Sequence, residues 1–589
     1  MRKGNLKLNS GGFVRFVVNA PVSGTYRLRV RHSSAWSAAS TRSIILDGVR
    51  TGAVTFAPTG AWGSWRTTDV ALPLSAGAHS AQLLFATTDA GALNIDNALF
   101  ELVAAGAVTA PTTAPIAPTT TIATAPVPSG PSAAAEPALC AGGGSQTLVR
   151  NILENKKYWL QSTAASGIPG MEETYSVLLS PLEMAVNCTD IAMMDDMSFI
   201  VLGSVSGLSG SSSGRVWLYN GAEARLVSAA WIQVLARLID GISAVPASQR
   251  TQNMNAVTQT FVPVVASHLK RWVVDTTFYG LSGCPYIWAN GHTAYLALLR
   301  TKTLGGAKSF CNAMINTDYL IMAGAAEFLI ASRNDPGLVN LGSLGISQQT
   351  LATYVGTSAD LVRSRLVPTP LNKPNGTAAQ GYDIDPGVFS DFAEETEWSG
   401  YTGLTFPTLP SGAVVVAPFS SPKAGWDTGH IRAFAQAINS LRRARSSAGS
   451  SFPTDAEMVG LSNQVAYGVL IGGNTQWPQF ANYFSGWNGW YRVNYYGRAG
   501  FGYGPSDLGN SSYMEGTLGL WARWNPDLSA INARIGAILQ STDPQTAAWR
   551  EATYTKNWNN FVRSGTPNLY RDSSPFLLQH VASSLGASW

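Results

Sequence analysis

Side chains able to move a proton gather where the sequence pattern starts a helix. In YIWANGHTAYLALL (286–299), Asn290 and His292 stand just ahead of an apolar helix, with Tyr295 one turn on. In GWDTGH (425–430), Asp427 and His430 precede IRAFAQAINSL, and Trp426 lies beside them. The stretch QGYDIDPGVFSDFAEETEW (380–398) supplies Tyr382, Asp383, Asp385, Asp391, Glu394, Glu395 and Glu397. Asp507 and Glu515 lie near another helix start. Residues 483–503 add Trp487, Trp490, Tyr491, Tyr496 and Arg498 in a glycine-rich run.

Two chemistries use such sets. In β-elimination on a uronate, Asn290 and His292 would neutralise the substrate carboxylate. A His or Tyr (His292, His430 or Tyr496, with Arg498 beside it) would then take the C5 proton and return one to the leaving oxygen. Inverting hydrolysis needs instead one protonated and one ionised carboxyl about 6.5–9.5 Å apart, for which Glu397, Asp427 and Glu515 are the candidates. Trp426, Trp487, Trp490, Tyr491 and Tyr382 could stack on sugar rings. The structural alternative stands beside each role. Asn290 and Asp427 are also good helix caps, and His292 could simply pack against Trp288.

The elements that must hold these residues follow from patterning. Residues 111–138, PTTAPIAPTTTIATAPVPSGPSAAAEPA, have no periodicity and read as a stiff tether. The chain therefore divides into 1–105, a linker at 106–139, and 140–589. Before the tether, FVRFVVNA, GTYRLRVRHS, RSIILDG, SWRTTDVALPL, AHSAQLLFA and ALNIDNALFEL alternate between short turns, predicting a β-sandwich. After it, apolar residues recur every three or four positions, as in GAEARLVSAAWIQVLARLIDGI. About ten to twelve helices without a fixed repeat fit an (α/α)6 toroid. The expected class is thus multidomain: a β-sandwich followed by a mainly α toroid.

Of 39 Lys/Arg and 35 Asp/Glu, residues 1–103 hold 10 and 5, so 29 and 30 fall to the rest. That near-neutral balance, without basic runs, argues against nucleic acid as a partner. No apolar run is read as long enough to span a membrane. The opening residues look like a strand and not a secretory leader. Four cysteines (Cys140, Cys188, Cys284, Cys311) allow two disulfides in three connectivities, so secretion to an oxidising compartment is expected. A monomer acting on polysaccharide is expected.

VRFVVNAPVSGTYRLRVRHS, GAWGSWRTTDVALPLSAGAHSAQLLF and ALNIDNALFEL resemble carbohydrate-binding modules of families 6 and 35. That resemblance implies a sugar site in loops at one end of the sandwich, with Trp36, Trp62, Trp65 and Asn97 as candidates. For Trp65 and Tyr26 the core reading comes first, since large aromatics in strands usually pack inward. The N-terminal acidic residue that holds structural calcium in such modules is not recognisable here, and no other cofactor is implied. Asn290-Gly291-His292 with Tyr295 is similar to the Asn-x-His element of helical-toroid polysaccharide lyases of the alginate type, although Gly291 departs from "NNH". The function expected is a secreted polysaccharide-degrading enzyme, a lyase in first place. An inverting glycoside hydrolase is the alternative, and a non-catalytic glycan binder the third reading.

Overall fold

The computed structural model describes residues 13–105, 144–392, 425–488, 506–555 and 580, with breaks at 47–48, 86–88, 211–214, 221, 276, 279–283, 285–288, 303–307, 474 and 515–516. The chain splits into two compact units between Ser132 and Ala133, and the linker expected at 106–139 lies outside the described residues.

The first unit has strands β1 (Phe13–Ala20), β2 (Gly24–Ser33), β3 (Ser40–Leu46), β4 (Val49–Phe56), β5 (Arg66–Leu74), β6 (Gly77–Leu84) and β7 (Asn94–Ala105). They pair antiparallel in two sheets, β1-β6-β3-β4 and β5-β2-β7. Strand β2 shows why. Its alternation turns Tyr26, Leu28 and Val30 inward, onto a core that includes Phe56, Leu74 and Leu83 from both sheets. Arg27 and Arg29 face outward and pair with Glu101 (2.7 Å) and Asp69 (2.9 Å) on the neighbouring strands.

One inward residue breaks the apolar rule. Arg42 of β3 is fully buried, with Phe85 under its guanidinium at 4.3 Å. It donates to the carbonyls of Thr41, Ala90 (3.2 Å) and Gly91 (2.9 Å). Among the described residues no three His, Cys, Asp or Glu side chains converge as a metal cradle.

The second unit is mainly helical. Its helices are α1 (Gly144–Ala164), α2 (Ile168–Asn187), α3 (Ile191–Leu202), α4 (Arg225–Ala244), α5 (Gln252–Lys270), α6 (Gly291–Thr301), α7 (Asn316–Asn334), α8 (Gln348–Arg363), α9 (Thr428–Ala448), α10 (Asp455–Asn463), α11 (Asp507–Met514), α12 (Pro526–Gln540) and α13 (Pro544–Arg550). Between α8 and α9 a hairpin intervenes, β8 (Leu366–Asn372) with β9 (Ala378–Ile384). The acid-rich stretch expected as loop therefore begins as a strand.

Helix α2 packs on α4, α4 on α7, and α7 on α9; α9 meets α11 and the 3-10 segment Thr517–Trp524, which returns to α2. Helices α4 and α7 are buried nearly all round, as interior helices must be. This corrects the membrane reading of the sequence. Arg225–Ala244 and Ser309–Asn334 are long and apolar enough to cross a bilayer, but 94% and 83% of those windows is buried within the unit.

Where α2, α4, α7 and α9 meet, the interior is ionic. Arg237 and Arg443 bridge Glu183, Asp240 and Glu327, all buried. A void of about 10 Å³ beside them, lined by Gln233, Gln436 and Ser440 among others, has room for one water and none for a sugar ring. Cys284 and Cys311 form a disulfide, Cys188 is also disulfide-bonded, and no described cysteine is free.

Separate cores predict separate unfolding. Arg42→Met removes three buried charge-assisted hydrogen bonds, so calorimetry should show the two-sheet unit's transition lowered by roughly 10 °C or more. The helical unit's transition should stay in place. A single transition that shifts as a whole would contradict the division.

Candidate active site

The described acid–base groups collect at the end of the helical unit where α7, α9 and α11 begin. Helix α9 starts with Asp427 as N-cap, its Oδ1 accepting the His430 backbone N–H at 2.8 Å. Its Oδ2 lies 2.6 Å from His430 Nδ1. Asp427 is buried while the His430 side chain is 39% exposed, so the pair joins the interior to solvent. The Trp426 ring stands edge-on to His430, Phe389 and Tyr319, at 6.3, 5.2 and 5.4 Å.

Asn482 ties this helix start to the next. Its carbonyl accepts from Thr428 N (2.9 Å), and its side-chain oxygen accepts from Leu508 N (3.0 Å) and Gly509 N (3.2 Å). One buried residue thus satisfies first-turn donors of both α9 and α11, fixing Asp427 and Asp507 in relation to each other. Tyr483 bridges to Asp427 through the backbone, and half-buried Trp487 lies 5.6 Å from its ring.

The hairpin carries two contrasting acids. Asp385 is buried against Arg365, both oxygens at 2.9 Å from one guanidinium nitrogen, and reads as structural. Asp383 is buried, accepts only the Ile384 N–H (2.7 Å) among the described residues, and has its pKa pushed up to about 6. Burial is the main cause, with the Asp385 charge adding to it. A Cβ at Gly425 would meet the carbonyls of Asp385 and Ile384 at 3.3 and 3.4 Å, so the chain entering α9 runs beside the end of the hairpin.

Several expected site residues have other work. His292 does not face a cleft. It is fully buried, with Nε2 2.7 Å from Asp318 Oδ1 and Nδ1 2.7 Å from the Tyr354 hydroxyl. In the neutral ring, Nε2–H donates to the carboxylate and Nδ1 accepts the tyrosine O–H. Asp318 Oδ2 accepts the Ile315 N–H at 2.7 Å, so the chain of bonds pins α6, α7 and α8 together. Tyr295 stacks on the imidazole inside this cluster, and burial raises its pKa. Gly291 is left-handed (φ +80°), and a Cβ there would meet the Val273 carbonyl at 2.3 Å. An Asn at that position, as in the lyase element, would not fit.

Half-buried Tyr382 presses its ring on Gly460 of α10 and serves packing. Asp391 accepts from Ser309 N, Ser309 Oγ and Phe310 N, holding a turn. Glu397, Trp490, Tyr491, Tyr496, Arg498 and Glu515 lie outside the described residues, as do the side chains of Asn290 and Asn97. In the first unit, Trp36 and Trp62 are exposed on two end loops joined by Thr59 N to Ser34 O (3.0 Å) and Ser33 Oγ to Trp62 O (3.1 Å). Tyr26 is core, and Trp65 is half-buried beneath Arg31 at 5.1 Å.

Asn482, Asp318, Tyr354 and Arg365 were not singled out by sequence reasoning. Asp318 alone left a local sign, an acid in the first turn of an apolar-periodic helix pattern.

No family model matches the chain. A cycloisomaltooligosaccharide glucanotransferase of Niallia circulans is 36% identical over 84 residues, 14% of this chain and 9% of that protein. A 1,6-alpha-glucosyltransferase of Sporosarcina globispora is 30% identical over 97 residues, 16% of this chain and 8% of its own length. The chain thus spans less than a tenth of these curated relatives. A solved family 35 carbohydrate-binding module from Clostridium thermocellum is 28% identical, covering 15% of this chain and 66% of the module, at a TM-score of 0.14.

His292→Ala should then act on stability. It strands the Asp318 carboxylate in the interior and opens a cavity, a loss of about 3–5 kcal/mol in urea unfolding. His430→Ala should change stability by less than about 1 kcal/mol. Equal, small effects at both positions would remove the structural role assigned to His292.

Proposed function

We propose that this chain is a glycan-cleaving protein in which the two-sheet unit is a β-sandwich sugar-binding module and the helical unit a closed α/α toroid. The proposed chemistry is carboxylate acid–base attack on a glycosidic bond, of the glycoside hydrolase kind, in place of elimination from a uronate. The observation that carries it is the burial of His292 with both ring nitrogens engaged. The lyase reading loses its leading proton-handling group, while Asp427, His430 and Asp383 remain at the same end of the helices.

Several features support this reading. The return of Thr517–Trp524 to α2 supports the toroid. Curated relatives that match a stretch of the chain are named for glucosyl transfer, and their 84–97 matched residues suit the length of the first unit. The near-neutral charge favours a neutral glucan over an anionic polymer. Exposed Trp36 and Trp62 offer the stacking faces of a sugar site, and the disulfide supports secretion.

In mechanism, Asp427 is the base. The α9 N-terminus favours its ionised form, and His430 bonds its second oxygen and can relay a proton to solvent. Asp383 is the acid, kept protonated by burial up to about pH 6. Trp426 and Trp487 flank the base, and a tethered module would raise the local concentration of polymer.

The test incubates the full chain with neutral α-glucans and with uronate polymers, recording reducing ends and absorbance near 235 nm. Reducing ends without new absorbance are expected, on a neutral glucan. Asp427→Asn should lower turnover roughly 100-fold or more. Wild-type activity should fall as pH rises through about 6, and Asp383→Asn should lower turnover roughly 100-fold or more, with no such limb in the activity that remains. Rising absorbance on a uronate, or an undiminished Asp427→Asn, would overturn the proposal.

A further inference from the structure

Glu183, Asp240 and Glu327 bring three carboxyls to two guanidiniums, Arg237 and Arg443, with side-chain exposures from 0% to 13%. Two positive charges balance two carboxylates. A third ionised carboxylate would leave an uncompensated charge in the interior, which proteins avoid by holding a proton.

The three carboxyls are not equally partnered. Glu183 accepts from Arg237 Nε (3.2 Å) and Nη2 (3.1 Å) and from Arg443 Nη1 (3.0 Å) and Nη2 (3.1 Å). Glu327 Oε1 accepts from Arg443 Nε (3.2 Å) and Nη2. Asp240 has one guanidinium contact, Arg237 Nη1 at 2.6 Å, and the Asn334 amide at 3.1 Å. Glu327 Oε2 is buried with no hydrogen-bond donor among the described residues and lies 3.6 Å from Arg237 Nη1. Asp240 Oδ2 and Glu327 Oε2 thus approach the same nitrogen, Arg237 Nη1, at 2.6 and 3.6 Å.

Farther along α9, the Arg432 charge acts on Tyr175 of α2, whose hydroxyl bonds Gln233 at 3.3 Å. Facing Asp240 are Glu183 and Asn187 from α2, Arg237 from its own helix, Glu327 and Asn334 from α7, and Arg443 from α9. Arg250, after α4, is engaged by Asp335 at 2.6 Å. On α3 and α5, Asp195 bonds Thr251, Asp196 pairs with Lys157, and His268 bonds the Val264 carbonyl.

We propose that a proton shared between Asp240 and Glu327 latches α2, α4, α7 and α9 together, and that its loss above neutral pH loosens them. The tuning agrees with this. Burial, then the Glu327 charge, lifts the Asp240 pKa to about 7 against the pull of Arg237. Against its own burial, Glu327 is held below the ordinary range by Arg443 and Arg237. A carboxyl whose folded pKa lies above its unfolded value binds its proton more tightly in the fold. It therefore favours the fold at low pH, and that advantage is lost as pH rises from about 4 to about 7.

The test follows urea unfolding of the full chain from pH 5 to 8.5. The latch alone should raise the unfolding constant up to ten-fold per pH unit below about pH 7. Asp240→Asn, which keeps the donor without the charge, should remove that rise, matching wild type at pH 5 and exceeding its stability at pH 8. Asp383→Asn and Asp196→Asn, whose carboxyls titrate near 6, should leave the part above pH 6.5 in place. An unchanged slope in Asp240→Asn, or equal destabilisation at every pH, would overturn the latch. Infrared spectra of the wild type give a check that needs no variant. A buried protonated-carboxyl band should be present at pH 6.5 and absent by pH 8.5; no such band would also overturn it.

Discussion

Charge balance in a dry interior is the constraint on which the helical unit depends. Helices α2, α4, α7 and α9 each bring an ionisable side chain to the place where they meet, and none could stay charged there alone. Arg443 reaches both Glu183 and Glu327, while Arg237 joins Glu183 to Asp240. Such groups have partners only in one arrangement of the four helices. Apolar packing among Trp231, Ile232, Leu235, Phe328 and Ile438 supplies the larger burial but would tolerate other registers.

Helix starts impose a second constraint of the same kind. Each leaves backbone N–H groups without intrahelical partners, and burial makes that costly. Asp190, Thr251, Ser347, Thr454 and Asn525 answer it as caps. Asp427 answers it and keeps a second oxygen for His430, whereas Asp318 spends its two oxygens on Ile315 N and His292. The same residue type at a helix start thus yields a solvent-facing Asp–His pair in one place and a buried clamp in the other. What differs is whether the histidine beyond it reaches solvent.

The two-sheet unit solves a smaller version of the problem. Its core is thin, and Arg42 sits in it with its charge directed at main-chain carbonyls from the turn at 89–91. That bonding fixes the loops at one end, where Trp36 and Trp62 are held outward by hydrogen bonds among Ser33, Ser34 and Thr59.

Much was legible in the sequence because it depends on neighbours along the chain. Alternation in GTYRLRV, three- and four-residue periodicity in VSAAWIQVLARLI, and a tether rich in Pro and Thr each act within a few residues. The strands, most helices, the division into two units and the cap at Asp427 were read on that basis. The hairpin at 366–384 was missed because its acids and prolines resemble a loop, and its pairing is visible only across the turn. The fate of the histidines was beyond local reading altogether. Asn290-Gly291-His292 and Trp426-Asp427-Thr428-Gly429-His430 look alike as helix starts. Yet His292 finds Asp318 and Tyr354 at separations of 26 and 62 residues, whereas His430 bonds an acid three residues away. Burial and ionisation are set by everything packed around a group, and only the tertiary structure brings those distant partners together.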